Sequence, residues 1–596
     1  MKLIRLKIND LDGFRGLPYG FEHHFRTEWT LQEELEQPEG ISPFVCAGPN
    51  GSGKSNLLEA LSAIFFQLEI RRVRSNFLPE TLQDETLDFQ PRAFELDYLI
   101  QVPQEYRHAD SPQWAKVSVW KERGESVRYL WDNQGEFETD TNEAFGGGYA
   151  DILLPEYVLG YSSGENEILS LPFFKTRFIQ FDEYWDALTR QSSYSGRPDT
   201  RLAYLDTSFS QAILLCNLLF QDEETLTPFR EDIGVESLRE FRILIRRSIL
   251  IPPEYLEAFA SKDENKRQTI DEIIDNNSAL SLEEDDIGEI RYRLNLTYLL
   301  EGDERSSRII SALKRCATLY FLDEDSDTLI LDYWVDDNTQ QAFQENFDYS
   351  ALALFQALQV LLTLNLYPVS DILKNELYRS SSHYVSETVP TLPSDERIMR
   401  FKNFYFTKQG VKQPMLLKEL SDGEHQLLHS LGLCLLFRDT NSLFLLDEPE
   451  THFNPEWRAN FISRLRQCFS KDQIKSQEML VTTHSPFLVS DSRPKKVLVF
   501  KKDKSTGDVS IRHPRYNTLG ASINKITMNT FDQQETIGAY AKEILDQLRS
   551  RFESGEEDSS NLIEDINREL GDSVEKILLI KAILDKQEDQ NGEVQD

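Results

Sequence analysis

Residues 48–55 read Gly48-Pro49-Asn50-Gly51-Ser52-Gly53-Lys54-Ser55, which has the spacing G-x-x-x-x-G-K-S. An apolar run from Ile41 to Ala47 precedes this segment, and a run that opens as a helix, Asn56 to Leu61, follows it. A phosphate-binding loop requires this order of strand, loop and helix. Its glycines let backbone N–H groups turn inward and surround phosphate oxygens. A glycine-rich turn that matches the spacing by chance is the alternative, but it does not explain the flanking strand and helix.

Two residues of this loop carry predicted chemistry. We expect Lys54 to bridge the β- and γ-phosphates of ATP and the Ser55 hydroxyl to hold Mg²⁺. The helix that begins near Lys54 adds the positive end of its dipole. The remaining predicted nucleotide contacts of the loop are Asn50, Gly51, Ser52, Gly53 and Asn56.

The composition of the chain limits its size class and its partners. At about 150 residues per domain, 596 residues predict three or four structural units. The formal net charge of −37 disfavours tight, sequence-independent binding of nucleic acid by the whole surface. Basic clusters at 71–74, 239–247 and 495–504 are either contacts for nucleic acid or a partner, or solvated residues that pair with the abundant acids.

The sequence also predicts where the chain resides. It contains no apolar stretch near the roughly 18 residues that a membrane span needs. Residues 1–8 alternate between charged and apolar types like an edge strand, so we expect no secretory signal there. The five cysteines are scattered without a C-x-x-C pair, which indicates neither a disulfide framework nor a zinc site. We therefore expect a cytoplasmic protein without membrane contact.

Hydrophobic periodicity divides the chain into four predicted segments. They are an N-terminal lobe at 1–165, a mostly helical insertion at 166–395, a C-terminal lobe at 396–530 and an acidic helical tail at 531–596. Gly146 to Gly148 predicts a flexible break. The tail contains two amphipathic stretches, 534–552 and 561–586, for which a docking appendage and ordinary packing against the core both remain open.

The insertion is predicted to be compact. Apolar residues at three- and four-residue spacing predict helices at 238–251, 305–321 and 349–366, and residues 329–335 predict a short strand. No heptad repeat is sustained over three or four repeats, so a long coiled-coil arm is excluded.

A second motif lies at residues 442–449, where a buried apolar strand ends in Asp447 and Glu448. We expect Asp447 to fix Mg²⁺ through a water and Glu448 to activate the attacking water. A strand followed by an acidic turn would look similar, but its place after a phosphate-binding loop favours the functional interpretation.

His484 follows another apolar strand, at residues 478–481. A histidine at the carboxyl end of a strand is able to reach a γ-phosphate and report its presence. A single histidine is more often structural, but the strand position and the companion motifs favour a catalytic role.

Residues 420–424 read Leu420-Ser421-Asp422-Gly423-Glu424 and precede a predicted helix at 425–437. Ser421 and Glu424 have the spacing of a capping box, and Gly423 is expected to leave space for a phosphate near the backbone. Because the phosphate-binding loop already surrounds its own nucleotide, a second anion-seeking helix end predicts a nucleotide held between two subunits. The alternative is a simple capped helix.

The same helix carries His425 and His429, one turn apart. Such a pair is able to ligate a metal, but no third ligand is apparent, so we favour ordinary helix-face histidines.

Taken together, the motifs resemble the heads of ABC-type ATPases, the group that contains Rad50, SMC and RecF proteins and the overcoming-lysogenisation family. Residues 48–55 match Walker A, 443–448 Walker B and 420–424 the signature, and His484 matches the switch histidine. The resemblance implies an α/β fold with a mixed sheet, flanking helices and an antiparallel β subdomain.

The resemblance also implies further site residues. Phe14 and Arg15 match an amino-terminal Phe-Arg pair whose arginine contacts nucleotide, and residues 450–455 occupy the place of the D-loop. Ser421, Gly423 and Glu424 would contact the nucleotide of a second subunit.

Two departures from the pattern stand out. Asp422 stands where the transporter signature has glycine, which adds negative charge near a phosphate unless the side chain points away. The glutamine of the nucleotide-sensing loop is not identified, and Gln180 and Gln211 are the candidates.

Within this group, the compact insertion and residues 161–167 look most like the restriction-associated ATPases typified by PtuA. These act in Septu and retron anti-phage systems beside a small HNH nuclease, sometimes with a reverse transcriptase and its RNA–DNA product. The resemblance implies a head dimer that hydrolyses ATP and controls such a nuclease. The alternatives are a repair or recombination ATPase that binds DNA directly, and a scaffold that holds ATP as a structural ligand.

Overall fold

The computed structural model describes residues 1–596 with the exception of 37–39, 73–77, 84–87, 108–110, 138–149, 165, 193–200, 254–255, 257–258, 260–268, 285–289, 383–384, 390, 470–475, 533–536, 555–557 and 593–596. The break predicted at Gly146 to Gly148, Arg74 of the first basic cluster and Glu165 lie outside the described residues.

Helices and strands alternate irregularly along the chain. Residues 1–165 form β1 (Lys2–Ile8), β2 (Glu22–His24), α1 (Glu28–Glu36), β3 (Phe44–Ala47), α2 (Lys54–Arg72), α3 (Glu80–Gln83), β4 (Phe94–Gln101), β5 (Trp114–Lys121), β6 (Arg128–Trp131), α4 (Ala150–Leu153) and β7 (Tyr157–Ser162). Residues 166–395 form α5 (Glu167–Thr189), β8 (Leu202–Tyr204), α6 (Ser210–Phe220), β9 (Val235–Arg246), β10 (Ser248–Ile251), α7 (Ile270–Asp275), β11 (Leu280–Glu284), β12 (Ile290–Asn295), α8 (Leu296–Gly302), α9 (Glu304–Cys316), β13 (Leu319–Asp323), β14 (Thr328–Trp334), α10 (Asp337–Asn346), α11 (Ala351–Thr363) and α12 (Asp371–Arg379). Residues 396–530 form β15 (Met399–Lys408), β16 (Met415–Leu416), α13 (Asp422–Leu436), β17 (Ser442–Asp447), α14 (Pro455–Cys468), β18 (Glu478–Thr483), α15 (Pro486–Ser490), β19 (Val497–Lys502), β20 (Val509–Arg512) and α16 (Ile523–Thr530). The tail forms α17 (Ala539–Ser554), α18 (Ser559–Glu569) and α19 (Val574–Gly592).

A seven-stranded sheet with the order β20-β19-β3-β18-β17-β7-β8 joins the two ends of the sequence. Its strands run parallel except for β20. Every residue of β3, β17 and β18 is buried, as expected for parallel strands covered on both faces. Asp447 pairs in register with Thr482 on one side and Ser162 on the other, so the carboxyl ends of three strands meet at one edge. Ligands of open α/β sheets bind at such an edge.

A five-stranded antiparallel sheet, β2-β1-β4-β5-β6, forms the predicted antiparallel β subdomain. Residues 94–101, 114–121 and 128–131 form β4, β5 and β6. The expectation that residues 1–8 form an edge strand is wrong, because β1 lies between β2 and β4. Together with the central sheet and its helices, this subdomain gives the α/β architecture of an ABC-type ATPase head.

The insertion contains more strands than predicted. The helix predicted at 238–251 is wrong, since this region forms β9 and β10. Apolar residues there occur both at helical spacing and consecutively, and pairing of β9 with β14 and β15 selects the strand. The helix predicted at 305–321 ends at Cys316, after which β13 begins at Leu319. The helix within 349–366 and the strand at 329–335 are confirmed as α11 and β14.

The tail folds into three helices that pack on one another. The second predicted helix, 561–586, is divided by the segment from Leu570 to Ser573 into α18 and α19. The tail has its own apolar cluster, separate from that of the rest of the described chain and built from Leu545, Leu548, Leu562, Ile566, Leu570, Leu579 and Ile583. This separation favours an appendage over packing against the main core.

Among the described residues, no single helix combines the length and apolar composition needed to cross a bilayer. One bent pair, 337–346 with 351–366, meets these criteria jointly, with an angle of 79° between its parts. All five cysteines are buried and free.

Candidate nucleotide-binding site

The phosphate-binding loop has the predicted context, because β3 ends at Ala47 and α2 begins at Lys54. Gly48 has φ +149°, and a Cβ atom on it would lie 2.5 Å from the carbonyl oxygen of Phe500 in β19. The loop therefore leaves the sheet directly against a neighbouring strand, and only glycine fits at this point.

Lys54 is buried and turned back over the loop. Its Nζ donates to the carbonyl oxygens of Gly48 at 3.1 Å and Pro49 at 3.2 Å, and lies 3.0 Å from Nε2 of His484. Burial lowers the pKa of Lys54, while Glu448 and Asp447 act in the opposite direction. The ammonium group is thus held by weak carbonyl partners, which a phosphate group is able to replace.

Asp447 forms the floor of the site together with Ser55. Ser55 Oγ donates to Oδ1 of Asp447 at 2.9 Å, and Thr482 Oγ1 donates to the same oxygen at 2.5 Å. A hydroxyl and a carboxylate in direct contact offer the hard oxygen ligands that Mg²⁺ prefers in nucleotide sites. The residues present therefore fit the predicted metal.

Asn166 is a site residue that sequence reasoning missed. It caps α5, because its Oδ1 accepts a hydrogen bond from the N–H of Leu169 at 3.1 Å. This contact assigns the amide oxygen to the helix side, so the amide nitrogen Nδ2 points away from the helix. Its Nδ2 then donates to Oδ2 of Asp447 at 2.8 Å and lies 3.3 Å from Oε1 of Glu59. A capping asparagine shortly after a buried strand was the available sequence signal.

Neither candidate for the glutamine of the nucleotide-sensing loop, Gln180 or Gln211, lies beside Asp447. Gln180 lies 14 residues beyond Asn166 along the axis of α5, which corresponds to about 21 Å at the rise of an α-helix. Gln211 lines a different cavity together with Arg177 and Arg400. Asn166, which follows the end of β7 at Ser162, is thus the amide side chain that contacts Asp447.

Glu448 and His484 face each other across the cavity. Oε1 of Glu448 lies 3.0 Å from Nε2 of His484. The hydrogen bond from His484 lowers the pKa of Glu448 against the opposing effect of burial, so the carboxylate is ionised at neutral pH. Glu448 has φ +49°, and its N–H donates to Thr482 Oγ1 at 3.0 Å. Such a left-handed backbone in a non-glycine residue is uncommon and concentrates at functional sites.

These residues line one cavity of about 620 Å³ at the sheet edge. Its walls consist of Asn50, Gly51, Gly53, Lys54, Ser55, Asn56, Glu448 and His484. Ser52 is buried beside the loop rather than exposed to the cavity, and its Oγ lies 3.1 Å from where a Cβ on Gly48 would be. Residues 421–424 do not line this cavity.

Glu450 is a second residue that the sequence did not single out for chemistry. It follows the Walker B strand, is 4% exposed, and accepts a hydrogen bond from Thr483 Oγ1 through Oε1. Its Oε2 has no hydrogen-bond partner among the described residues. Burial raises the pKa of Glu450 to about 7, and the nearby charge of Glu448 adds to this effect.

The predicted capping box at the start of α13 is present. Ser421 N donates to Oε2 of Glu424 at 2.8 Å, and Glu424 N donates to Ser421 Oγ at 3.4 Å. Glu424 also forms an ion pair with Lys408. The helix begins at Asp422 rather than at 425, and Ser421 and Asp422 are exposed.

We predicted that Gly423 leaves space for a phosphate near the backbone, and this explanation of the glycine is wrong. A Cβ on Gly423 would lie 2.7 Å from the carbonyl oxygen of His452 and 3.4 Å from the ring of Trp457. The space beside this glycine is therefore filled by the chain's own segment after Glu450, and not left open for a phosphate. His452 N also donates to Oε1 of Gln426 at 2.8 Å, which ties this segment to α13.

Arg15 lies beside the site and not on its wall. It has φ +54°, and its guanidinium donates to the carbonyl oxygen of Ser381 and lines a cavity of about 170 Å³ next to Glu59. The following residue, Gly16, donates its N–H to Oδ1 of Asn56 at 3.1 Å. The Phe-Arg segment is thus bound to the start of α2.

His429 is a buried residue of the core. Its Nδ1 lies 2.8 Å from Ser210 Oγ and its Nε2 lies 2.8 Å from the carbonyl oxygen of Leu205. Burial lowers the pKa of His429 to about 4, so the ring is neutral. Among the described residues, no group of three or more His, Cys, Asp or Glu side chains is suited to hold a metal, so His425 and His429 do not belong to such a cluster.

The basic clusters are largely engaged within the chain. Arg242 forms a bidentate pair with Asp332 at 2.5 and 2.8 Å, and Arg247 lies 3.5 Å from Asp327. In the third cluster, Lys496 lies 2.7 Å from Glu34. These contacts favour solvated or paired surface residues over a nucleic-acid interface.

Comparison with known proteins gives matches to a family and to individual relatives. Residues 346–490 match the AAA_21 family, described as "AAA domain, putative AbiEii toxin, Type IV TA system". The Septu protein PtuA of Bacillus thuringiensis is 27% identical over 124 residues, which is 20% of this chain and only 30% of that protein.

Two structures of the recombination mediator protein RecF were also found. The one titled RecF-ATPrS has 11% identity and a TM-score of 0.27, and the alignment covers 85% of this chain and 97% of RecF. The one titled RecF-ATP has 11% identity and a TM-score of 0.25 over 81% and 93% of the two chains. Scores this low add nothing to the fold argument, which rests on the sheet order and on the position of the motifs. On that evidence the chain has the fold of an ABC-type ATPase head, and part of it resembles PtuA.

Proposed function

We propose that this chain binds and hydrolyses ATP as the regulatory ATPase of a prokaryotic anti-phage defence complex, in which paired heads control a partner HNH nuclease. One observation carries the enzymatic part of the proposal. A single cavity collects Lys54, Glu448 and His484 around the phosphate-binding loop, with the Ser55–Asp447 pair beside it.

Each side chain has a distinct task in hydrolysis to ADP and phosphate. Lys54 exchanges its carbonyl contacts for oxygens of the β- and γ-phosphates, and the N-terminus of α2 stabilises the same charge. Oε1 of the ionised Glu448 accepts a proton from the attacking water. His484 lies within 3.0 Å of both groups, and we propose that it orients them toward the γ-phosphate.

Ser55 and Asp447 would hold Mg²⁺. The ion supplies positive charge that offsets the charge of the phosphate oxygens. Asn166 and Thr482 keep the Asp447 carboxylate in a fixed orientation for this purpose, since both donate to it.

A second subunit would complete the site. The start of α13 presents an exposed Ser421 and a helix N-terminus, and neither contributes to the cavity of its own subunit. We propose that the N-terminus of α13, with the exposed Ser421 in front of Gly423 and Glu424, faces the nucleotide of a partner copy. Arg15 would join the nucleotide from the same subunit by releasing Ser381.

The defence role rests on the similarity to PtuA over 124 residues and on the compact insertion without arms. An HNH nuclease is the proposed partner, and a reverse transcriptase with its RNA–DNA product is a further one in a retron setting. Direct DNA binding, as in a repair ATPase, is less well supported because the basic clusters pair with acids of the same chain.

Phosphate release by the purified chain tests the enzymatic part. Lys54→Ala should abolish ATP-dependent release, while Lys581→Ala, a change in the remote tail, should leave it unaffected. Equal release by the wild type and Lys54→Ala would show that this site does not hydrolyse ATP. The defence part predicts that a gene for a small HNH protein lies beside this one. It is tested by adding that protein and measuring whether nucleic-acid cleavage depends on ATP.

A further inference from the structure

The strand β13 exposes apolar side chains on both of its faces. Exposed fractions are 57% for Leu319, 53% for Tyr320, 41% for Phe321 and 53% for Leu322. Trp334 at the end of the neighbouring strand β14 adds another 51% exposed aromatic ring. Four consecutive exposed apolar residues are unusual in a strand, because one face normally packs on a core.

β13 is also an open edge. It is the terminal strand of the sheet β13-β14-β9-β15-β16, and it pairs with β14 in a regular register from Leu319–Asp332 to Asp323–Thr328. Alternate N–H and C=O groups along its other side therefore point away from the sheet. Proteins usually protect such an edge with a charge, a proline or a bulge, and residues 319–322 contain none of these.

The charges on either side of β13 indicate which kind of partner strand would pair with it. Lys314 and Arg315 precede the strand, Asp323 is its last residue, and Glu324 and Asp325 follow it. When two copies of this segment pair antiparallel about a two-fold axis, the basic start of each lies beside the acidic end of the other. We propose that β13 pairs with β13 of a second copy of this chain and joins the two five-stranded sheets into one.

The flanking charges are available for this contact. Arg315, Glu324 and Asp325 are exposed. Arg315 donates to the neutral side chain of Asn346, and Lys314 lies 3.6 Å from Glu301, so neither is held in a short pair with an acid. A partner of a single charge sign would match only one end of the strand, whereas a second copy matches both.

This interface is independent of the proposed nucleotide site. None of the residues that line the nucleotide cavity belongs to β13 or β14. The pairing should therefore form without nucleotide. A seam of one short strand is smaller than the roughly 1,600 Å² of a standard interface, so the association should depend on protein concentration.

Sedimentation or light scattering of the full chain, without nucleotide and with a chelator, tests the proposal. The wild type should shift from the mass of one chain toward twice that mass as its concentration rises. Leu322→Glu should weaken the association by at least about tenfold, because it places a like charge on both copies in the seam. Leu130→Glu is the matched control: Leu130 is also 53% exposed and lies on β6, the edge strand of another sheet.

Charge reversal provides a second test that leaves the strand intact. The variant Lys314→Glu/Arg315→Glu and the variant Glu324→Lys/Asp325→Lys should each lose self-association. Mixed together, they should associate with each other, because every contact then joins opposite charges. A wild type that stays monomeric at all concentrations, an equal effect of Leu130→Glu, or a mixture that fails to associate would each overturn the proposal.

Discussion

Asp447 accepts hydrogen bonds from three residues, and each lies on a different segment of the chain. Ser55 belongs to the phosphate-binding loop, Thr482 to β18, and Asn166 to the start of α5. The aspartate therefore connects both ends of the sequence with the insertion. A change in its surroundings should be transmitted to α5 through the single amide of Asn166.

Replacing Asn166 tests this connection. Asn166→Ala should raise the Mg²⁺ concentration needed for half-maximal phosphate release by about 10-fold or more, because Asp447 loses a donor that orients it. It should also cost about 1 kcal/mol of stability through loss of the cap of α5. Asn166→Ser keeps a capping oxygen but cannot reach Asp447, so it should show the Mg²⁺ effect with little loss of stability. Equal Mg²⁺ dependence of all three proteins would contradict the assignment.

Glu448 is the group assigned to proton transfer. Glu448→Gln should reduce the rate of phosphate release by about 10²–10⁴-fold, since the amide cannot accept the proton of the attacking water. ATP binding, measured by fluorescence of a labelled nucleotide, should remain. A variant that hydrolyses ATP at the wild-type rate would remove Glu448 from the mechanism.

Glu450 gives a prediction for pH dependence. Its pKa in the folded protein is raised from 4.5 to about 7 by burial. The folded state therefore binds the proton more tightly, and this contribution to stability falls as pH rises from about 4.5 to about 7. Glu450→Gln removes the ionisable group, so above pH 7 the variant should be more stable than the wild type by up to about 3 kcal/mol.

Denaturant unfolding of both proteins at pH 5 and pH 8 checks the prediction for Glu450. Many other acids titrate in this range, so the quantity to compare is the difference between variant and wild type at each pH. If the difference in the free energy of unfolding between Glu450→Gln and the wild type does not grow with pH, the pKa of Glu450 is not raised in the folded protein.

The helix α13 and the segment after β17 form one unit. Gly423 packs on the backbone of His452, and His452 in turn donates to Gln426 of α13. Because the segment around His452 directly follows Glu448 and Glu450, the catalytic strand of one subunit is connected to the surface that it would offer to the other. In the proposed dimer, hydrolysis in one site would thereby alter the contact with the second subunit.

The exposed end of α13 allows a test of the shared nucleotide. In a Glu448→Gln background, ATP should produce a head dimer, and the additional change Ser421→Arg should abolish it by placing a long side chain at the contact. Binding of ATP should persist, since Ser421 does not line the cavity of its own subunit. Exposed Lys418→Arg serves as the control. A dimer that survives Ser421→Arg would exclude a nucleotide shared through this surface.

The success of sequence reasoning differs between elements for a physical reason. Buried parallel strands such as β17 and β18 appear as continuous apolar runs, and the motifs stand at their ends, so the positions of Asp447, Glu448 and His484 at one edge of the sheet are predictable. The strand β9 resembles a helix in sequence because its apolar residues satisfy both periods, and its pairing with β15 joins residues far apart in the chain. Asn166 and Glu450 escape prediction for the same reason, as their importance depends on contacts that only the sheet order creates.

Two interfaces on one chain would determine the assembly of the whole molecule. The head contact requires ATP, whereas the proposed β13 contact does not. Each is a two-fold contact, and two different two-fold contacts on one chain generate closed rings of even copy number or open chains. The molecule would thus pass from a dimer to a larger assembly when ATP binds.

This leads to a prediction in which the two contacts can be separated. Glu448→Gln with ATP should form particles of four or more copies, because hydrolysis no longer opens the heads. Adding Leu322→Glu to this variant should limit the particles to two copies that still require ATP. Adding Ser421→Arg instead should also limit them to two copies, but these should persist after nucleotide is removed. Mass photometry of the three variants with and without ATP distinguishes the cases. If either addition left only single copies, both substitutions would have disrupted one and the same interface, and the separation proposed between the nucleotide site and β13 would fail.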